Sequence, residues 1–138
     1  MKTKSSRYRM YGLILGSALL ADFFLVPLDL VIKLVIAVPG FAISWSLFNM
    51  GASIENDGVK FRNLLDIFKY RTVAFSEISK ALALPDLGEA TKKFVPQHLA
   101  LVLKNGKSIN IASISNVGGK VDVTAWANEI NLRIKPTL

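Results

Sequence analysis

Hydrophobic residues follow two different patterns along the 138-residue chain. Within residues 10–50 they form two nearly continuous blocks, separated by a short break at residues 27–29. From Gly51 onward they alternate with polar residues at the spacing that is typical of β-strands. The pattern therefore predicts two parts, a helical one over residues 1–50 and a β-rich one over residues 51–138.

The two apolar blocks have the length of membrane-spanning helices. A helix over residues 10–26 would be about 25 Å long and one over residues 30–50 about 31 Å long, close to the thickness of a hydrocarbon core. Pro27 favours a turn between them, because proline disfavours a helical conformation at the residue before it. Neither block has a polar face, and such helices need either a large core or lipid around them. A chain of this length is too short to supply that core, so we expect a transmembrane hairpin in a lipid bilayer.

The basic amino terminus, "MKTKSSRYRM", also resembles the start of a secretory signal peptide. Leu19 fits poorly into a small-residue cleavage site, and the apolar sequence resumes after Asp22 to form a second full block. We therefore expect the segment to be retained. Four basic residues precede the first block (Lys2, Lys4, Arg7 and Arg9), against Lys33 alone near the break. By the positive-inside rule, this asymmetry predicts that both termini are cytoplasmic.

Three charged residues near the break need an explanation, because a charge in hydrocarbon costs a few kcal/mol. Asp29 and Lys33 are four residues apart and can interact at the headgroup level, where a lysine side chain can extend toward water. Asp22 lies about one helical turn before the break, and Lys33 on the returning helix is its expected partner. We predict a structural Asp22–Lys33 ion pair at the hairpin tip. A proton or ion relay is the alternative role.

The second part predicts a small β-rich module. An Asp-Gly pair at residues 57–58 indicates a two-residue turn that would place Ile54 opposite Phe61. Aromatic and β-branched residues predict a strand over residues 67–75, and "SKALAL" predicts the next strand. A polar, proline-bounded loop is expected over residues 85–97.

The clearest hairpin is "LALVLKNGKSINIA". A two-residue Asn-Gly turn would mix its polar and apolar faces, whereas a three-residue loop ending in a left-handed Gly106 keeps them apart. That loop aligns Leu101 with Ile109 and Leu99 with Ile111, and it is the register we predict.

The segment "VDVTAWANEINLRI" predicts a C-terminal amphipathic helix. Its apolar residues fall on one face at helical spacing: Val123, Trp126, Ala127, Ile130 and Ile134. We expect Trp126 to plug the core over the open end of the sheet, and not to stack on a ligand.

The order of "VAFSEISKA", "LKNGKSI" and a terminal helix that contains Trp126 resembles the bacterial pleckstrin-homology-like domains, over roughly residues 53–134. The resemblance implies a bent antiparallel β-sheet or partly opened barrel of seven strands, capped by a C-terminal α-helix. It also implies scaffolding, partner binding or lipid-surface association at a bacterial inner membrane. The predicted fold class is thus an α+β, multi-pass membrane protein, with a two-helix transmembrane hairpin followed by this module.

The sequence contains few residues that suggest a reaction. It has no Walker-type phosphate loop, dinucleotide fingerprint or His/Cys metal spacing, and it has no cysteine. His98 is the sole histidine, and no partner for a triad or a zinc site is evident. We therefore predict a non-enzymatic protein without cofactor or metal. Residues 51–138 hold twelve basic and eight acidic residues and no stacking platform, so nucleic acid is not an expected partner.

One basic pattern suggests a binding surface. Lys60 and Arg62 alternate on one predicted strand, and Lys69 and Arg71 alternate on the next, so the four could share one face. Their spacing resembles the headgroup motif of eukaryotic phosphoinositide-binding relatives. Near a membrane, each base would attract anionic lipid by on the order of 1 kcal/mol. The alternative is an ordinary solvated strand face.

Two functions remain open at this point. The first is a membrane-anchored, non-enzymatic module that binds a partner protein, a second copy of itself or the membrane surface. The second is an accessory or regulatory subunit of a membrane transport or assembly complex, in which Asp22 and Lys33 are functional.

Overall fold

The computed structural model describes residues 2–4, 6–85, 96–116 and 121–134. Within these residues the chain is α+β, with three α-helices: α1 (Ser6–Leu25), α2 (Leu30–Asn49) and α3 (Val123–Ile134). The strands are β1 (Lys2–Lys4), β2 (Gly51–Ile54), β3 (Gly58–Arg62), β4 (Arg71–Ala74), β5 (Ile78–Leu84), β6 (His98–Leu103) and β7 (Ser108–Ser115). A short 3₁₀ turn, Phe75–Glu77, joins β4 to β5. Most of the loop predicted at 85–97 lies outside the described residues.

Helices α1 and α2 form the predicted hairpin, and small residues hold them close together. A Cβ atom built on Gly12 would lie 2.7 Å from the Ser44 carbonyl oxygen and 2.8 Å from the Phe48 amide nitrogen. The Ser44 hydroxyl donates a hydrogen bond to the Gly12 carbonyl (2.5 Å). The contact is therefore backbone against backbone, as in helix pairs that pack through small residues.

The strands form two antiparallel sheets, with orders β1-β2-β3-β4 and β5-β6-β7. In the described part of the chain these sheets do not close into a barrel. Strand β1 pairs with β2, so that Lys2 lies opposite Ser53 and Lys4 opposite Gly51. Part of the basic amino terminus, Lys2–Lys4, is thus a strand of the first sheet.

The β2–β3 hairpin differs from its predicted register. Ile54 lies opposite Val59 rather than Phe61. The Glu55 amide donates to the Gly58 carbonyl (2.9 Å), which places the connection one residue earlier than the Asp-Gly pair suggested. Because the register is displaced by two positions, the same side chains still face the core. Ile54, Val59 and Phe61 are all buried.

The β6–β7 hairpin confirms its predicted register. Leu101 lies opposite Ile109 and Leu99 opposite Ile111. Gly106 has a φ angle of 82°, the left-handed conformation that the three-residue loop requires. The strand predicted over residues 67–75 is shorter in the structure, because β4 begins only at Arg71.

The core of the module lies between the sheets and α3. Its buried residues are Ala52, Ile54, Val59, Phe61, Val73, Ile78, Ala81, Leu99, Leu101, Ile111, Ile114, Val123, Trp126, Ala127 and Ile130. Trp126 is 4% exposed, which confirms its place in the core. The Asn131 side chain bonds both the amide (2.8 Å) and the carbonyl (2.9 Å) of Ala81, and this fixes α3 on β5.

Candidate functional site

Helices α1 and α2 are long and apolar enough to cross a membrane, as judged by length and composition. Only 6% of Tyr8–Leu25 and 11% of Leu30–Asn49 is buried within the structure. The two helices are therefore not the buried core of this chain, and their large apolar side chains face outward. Such surfaces indicate an apolar surrounding, which is compatible with association with a membrane.

The hairpin tip contains a cavity of about 150 Å³. Its lining residues are Leu19, Asp22, Phe23, Val26, Leu28, Lys33, Ile36 and Ala37. Asp22 is exposed at the rim, whereas Lys33 is half-buried. The fold therefore brings the two predicted residues to one cavity.

The predicted ion pair between Asp22 and Lys33 is not formed. Among the described residues, the ion pairs within 4.0 Å are Lys60–Glu55 and Arg133–Glu129. The Lys33 ammonium instead donates to the Phe23 carbonyl (2.8 Å). That carbonyl belongs to the last turn of α1, where main-chain oxygens lack a helical partner and carry partial negative charge.

Asp29 serves as the cap of α2. Its carboxylate accepts a hydrogen bond from the Val31 amide (2.9 Å), which satisfies one of the free amides at the helix start. The predicted side-chain interaction between Asp29 and Lys33 is therefore replaced by two others. The Asp29 carboxylate bonds a main-chain amide of α2, and the Lys33 ammonium bonds a main-chain carbonyl of α1.

The predicted basic patch is not a single surface. Arg71 lies opposite Phe61 in the ladder, and its guanidinium carbon is 5.9 Å from the Phe61 ring centre. Lys60 and Arg62 lie on the other face of the sheet, at 5.4 and 5.7 Å from the ring of Tyr70. The prediction of one face was wrong because residues directly opposite each other share a face. Arg71 is opposite Phe61, so it lies on the face away from Lys60 and Arg62.

The remaining members of the predicted patch have different environments. Arg62 is only 6% exposed, and its Nε donates to the Asp66 carbonyl (2.8 Å), so it is a structural residue. Its second terminal nitrogen has no hydrogen-bond partner in the described part of the chain. Lys69 is exposed but precedes β4, outside the ladder. Of these three residues, Lys60 combines a sheet position with a partly exposed charge.

A groove of about 510 Å³ lies on the first sheet, beside the end of α2. Its lining residues are Lys2, Gly51, Ala52, Ser53, Glu55, Lys60 and Tyr70. The Lys60 ammonium is 3.7 Å from the Glu55 carboxylate, and it also lies over the Tyr70 ring. The groove thus offers a charge of each sign beside an aromatic face, which suits a polar polypeptide segment.

The turn between β3 and β4 was not among the candidate sites predicted from the sequence. The Asp66 amide donates to the Asn63 carbonyl (3.0 Å), and Leu64 and Leu65 occupy the corner. Leu65 is 90% exposed, and nearby Phe68 is 82% exposed. The signal was present in "NLLDIF", because two leucines stand between residue types that favour turns.

His98 is the first residue of β6, half-buried and opposite Leu84 and Ser115. It lines a cavity of about 310 Å³ together with Tyr8, Asn110, Ala112 and Ser115. Within the residues that the structure describes, His, Cys, Asp and Glu nowhere gather in a group of three that could hold a metal ion.

Comparison with known proteins assigns no function to these sites. No protein-family model matches the sequence, and no curated protein is significantly similar to it.

Proposed function

We propose that this chain is a non-enzymatic membrane protein in which the α1–α2 hairpin anchors a pleckstrin-homology-like module at the cytoplasmic face of a bacterial inner membrane. The module binds a partner protein there. One observation carries the proposal: the segments that precede and follow the hairpin pair with each other, since β1 and β2 are neighbours in one sheet. A single residue, Met50, separates α2 from β2, so the sheet lies directly at the membrane surface.

The same pairing supports a topology with both termini on one side. Two spans return the chain to the side on which it began, and β1 and β2 can pair only if both stand on that side. The excess of basic residues before the first apolar block, which begins at residue 10, favours the cytoplasm. The apolar, outward-facing surfaces of both helices favour lipid over a soluble core.

The module architecture supports the family resemblance. Within the described residues of the module, the six antiparallel strands β2–β7 are followed by a C-terminal helix, and Trp126 of that helix lies in the core. The antiparallel strands and the terminal helix agree with what the resemblance implies, whereas the two separate sheets differ from the single bent sheet or partly opened barrel of seven strands. The family is associated with scaffolding and partner binding, and neither role needs a catalytic group.

The groove on the first sheet supports a protein as the partner. It opens beside Lys60, Glu55 and Tyr70, and it combines both charge signs with an aromatic ring. A purely anionic headgroup would meet the Glu55 carboxylate, which opposes it. A polypeptide segment of mixed charge, from another protein or from a second copy, complements the groove better.

A topology experiment tests the anchor. Because the chain has no cysteine, single cysteines can be introduced at Lys2, Leu28 and Lys107 and labelled with an impermeant thiol reagent. We expect Leu28 to be labelled from the periplasmic side, and Lys2 and Lys107 only in inverted vesicles. Labelling of Lys2 and Lys107 from opposite sides would refute the hairpin.

A second experiment tests the groove. A photo-crosslinking residue at Lys60 should form a discrete adduct in cells, and Tyr70→Ala should weaken it because the aromatic wall is lost. The same residue at Lys107, in the β6–β7 loop, is the matched control. Identical adducts from both positions would show that the groove has no special role.

The cavity at the hairpin tip favours one other candidate function, an accessory subunit of a transport or assembly complex. It holds Asp22 and Lys33 together within an otherwise apolar lining. Asp22→Asn removes the charge and keeps the shape of the side chain. If the variant inserts normally but the complex loses activity, the hairpin is the functional part. Unchanged activity favours the anchor.

A further inference from the structure

The β3–β4 turn presents apolar side chains where turns are normally polar. Glycine, proline, asparagine, aspartate and serine dominate turn positions, yet Leu64 and Leu65 occupy this corner. Leu65 and Phe68 are among the most exposed large hydrophobic residues of the described chain, at 90% and 82%. An exposed pair of this kind on a turn indicates contact with an apolar partner.

The turn is firmly built, so the exposure is a property of the fold. The Asn63 amide bonds the Asp66 carboxylate (3.2 Å), and Arg62 bonds the Asp66 carbonyl (2.8 Å). The Asn63 side chain also spans to β7, where it donates to the Asn110 carbonyl (2.8 Å) and accepts from the Ala112 amide (3.1 Å). Both sides of the turn are thus held by hydrogen bonds.

Hydrogen bonds place this turn at the level of the last turn of α2. The Ser46 hydroxyl donates to the Leu64 carbonyl (2.6 Å). Ser46 is three residues before the end of α2 at Asn49, a rise of about 5 Å along the helix axis. At the other side of the segment, the Tyr70 hydroxyl donates to the Asn49 carbonyl (3.5 Å). Residues 63–70 therefore lie beside the last turn of α2 and not beyond its end.

The surrounding side chains have the composition of a membrane interface. Lys69 is exposed next to Phe68, and Trp45 is 57% exposed on α2 one residue before Ser46. At the same end of the hairpin, the Arg9 guanidinium lies 4.7 Å from the Phe48 ring. Aromatic rings and basic groups are enriched at the level of the lipid headgroups.

We propose that Leu65 and Phe68 insert into the cytoplasmic interface of the bilayer and form a third membrane contact beside the two helices. The contact would fix the tilt of the module, so that the groove lined by Lys60 and Tyr70 keeps one orientation to the membrane. The inference rests on the proposed hairpin anchor. The partner is the lipid interface itself, because the turn is held at the depth where α2 leaves the membrane.

Site-directed spin labelling of the full chain tests this contact. Single cysteines at Leu65 and Phe68 would carry the label, in vesicles of phosphatidylethanolamine and phosphatidylglycerol in equal parts. A label in lipid collides more with oxygen than with a water-soluble nickel complex, and a label in water does the reverse. We expect the Leu65 and Phe68 labels to favour oxygen and a label at Lys107 to favour nickel.

A label at Val35, on the outward face of α2, separates the two ways of failing. If Val35 favours oxygen while Leu65 and Phe68 favour nickel, the hairpin is anchored and the third contact is wrong. If Val35 also favours nickel, the anchor itself is wrong. Labels that are aqueous in these vesicles, which contain no other protein, but shielded in native membranes would assign the turn to a protein partner and overturn the lipid contact.

A charge substitution supplies an independent test. Leu65→Asp combined with Phe68→Asp should lift a label at Lys69 out of the interface, to the nickel accessibility of the Lys107 label. The control is Leu132→Asp, at an exposed leucine on α3, and it should leave the Lys69 label unchanged. All three substituted side chains are exposed, so the folded core is preserved. A Lys69 label that does not respond would overturn the proposal.

Discussion

The helical hairpin and the β-module bury their hydrophobic residues in opposite ways. Between α1 and α2 the interior holds small residues such as Gly12 and Ser44, while large side chains such as Leu13 and Val35 face outward. In the module, large side chains such as Phe61 are fully buried. The hairpin has the arrangement expected in an apolar solvent, where burying large side chains gains little and close backbone packing gains more. The module has the arrangement that water imposes.

The contrast extends to the polar groups. In the hairpin, polar side chains bond main-chain carbonyls: Ser44 bonds Gly12, and Lys33 bonds Phe23. In the module, side chains such as Arg62 also bond main-chain carbonyls, but partly exposed ion pairs such as Lys60–Glu55 occur as well. A polar side chain in an apolar solvent is most stable when it bonds the nearest main-chain oxygen.

Core truncation in the module gives the largest effect. Leu101→Ala should lower the free energy of unfolding by about 2–5 kcal/mol, because Leu101 is fully buried and a cavity remains. Urea unfolding, followed by Trp126 fluorescence in a Trp45→Phe background, measures it. The matched control, Leu132→Ala at an exposed position, should change the value by less than about 0.5 kcal/mol. Equal losses for the two variants would mean that the module has no hydrophobic core.

Enlarging an interior residue is the corresponding test of the hairpin. Gly12→Leu should destabilise helix packing by about 1–3 kcal/mol, because the new side chain meets the backbone of α2. Oxidative crosslinking between cysteines placed at Arg9 and Phe48, which are in contact in the structure, should become slower. The control Ala18→Leu, on the exposed side of α1, should crosslink at the original rate. Crosslinking that is unaffected by Gly12→Leu would argue against close packing.

The β6–β7 loop provides a smaller, purely conformational effect. Gly106→Ala should cost about 1–2 kcal/mol, since φ is 82° and an added Cβ meets no atom within 4 Å. Gly106→Asn should lose less, because asparagine tolerates the left-handed region. Urea unfolding of both variants decides the matter. Equal losses for the two variants would show that backbone conformation is not the cause.

The smallest effect concerns a single interhelical hydrogen bond. Ser44→Ala removes the bond to the Gly12 carbonyl and should weaken hairpin packing by about 0.6 kcal/mol, the average for such bonds in membranes. The same crosslinking assay detects it as a modest slowing. Ser17→Ala, at an exposed position on α1, is the control and should have no effect. A slowing as large as that of Gly12→Leu would contradict this ranking.

Local patterns predicted one hairpin correctly and the other incorrectly. At β6–β7, only one loop length keeps Leu101 and Ile109 on the same face, so the residues themselves select the register. At β2–β3, alternative registers displaced by two positions keep Ile54 and Phe61 equally buried. The alternation cannot choose between them, and the Asp-Gly pair pointed to the wrong one.

The candidate sites were less predictable than the elements that carry them. The face of Arg71 depends on where β4 begins to pair with β3, and no local signal marks that residue. The sequence pattern placed a carboxylate within reach of Lys33. In the structure the Lys33 ammonium instead donates its hydrogen bond to the free carbonyl of Phe23 at the end of α1. Both outcomes are set by the geometry between elements.

The two apolar helices, the register of the β6–β7 hairpin, the left-handed Gly106 and the core position of Trp126 follow from the sequence alone. Each depends on residues that are close in the chain, so hydrophobic period and turn chemistry specify them. The tertiary structure decided the pairing of β1 with β2 and the bond from Ser46 to Leu64. The partners in these contacts are far apart in sequence, and many pairings would satisfy the same local pattern. Only the simultaneous packing of helices and sheets selects one.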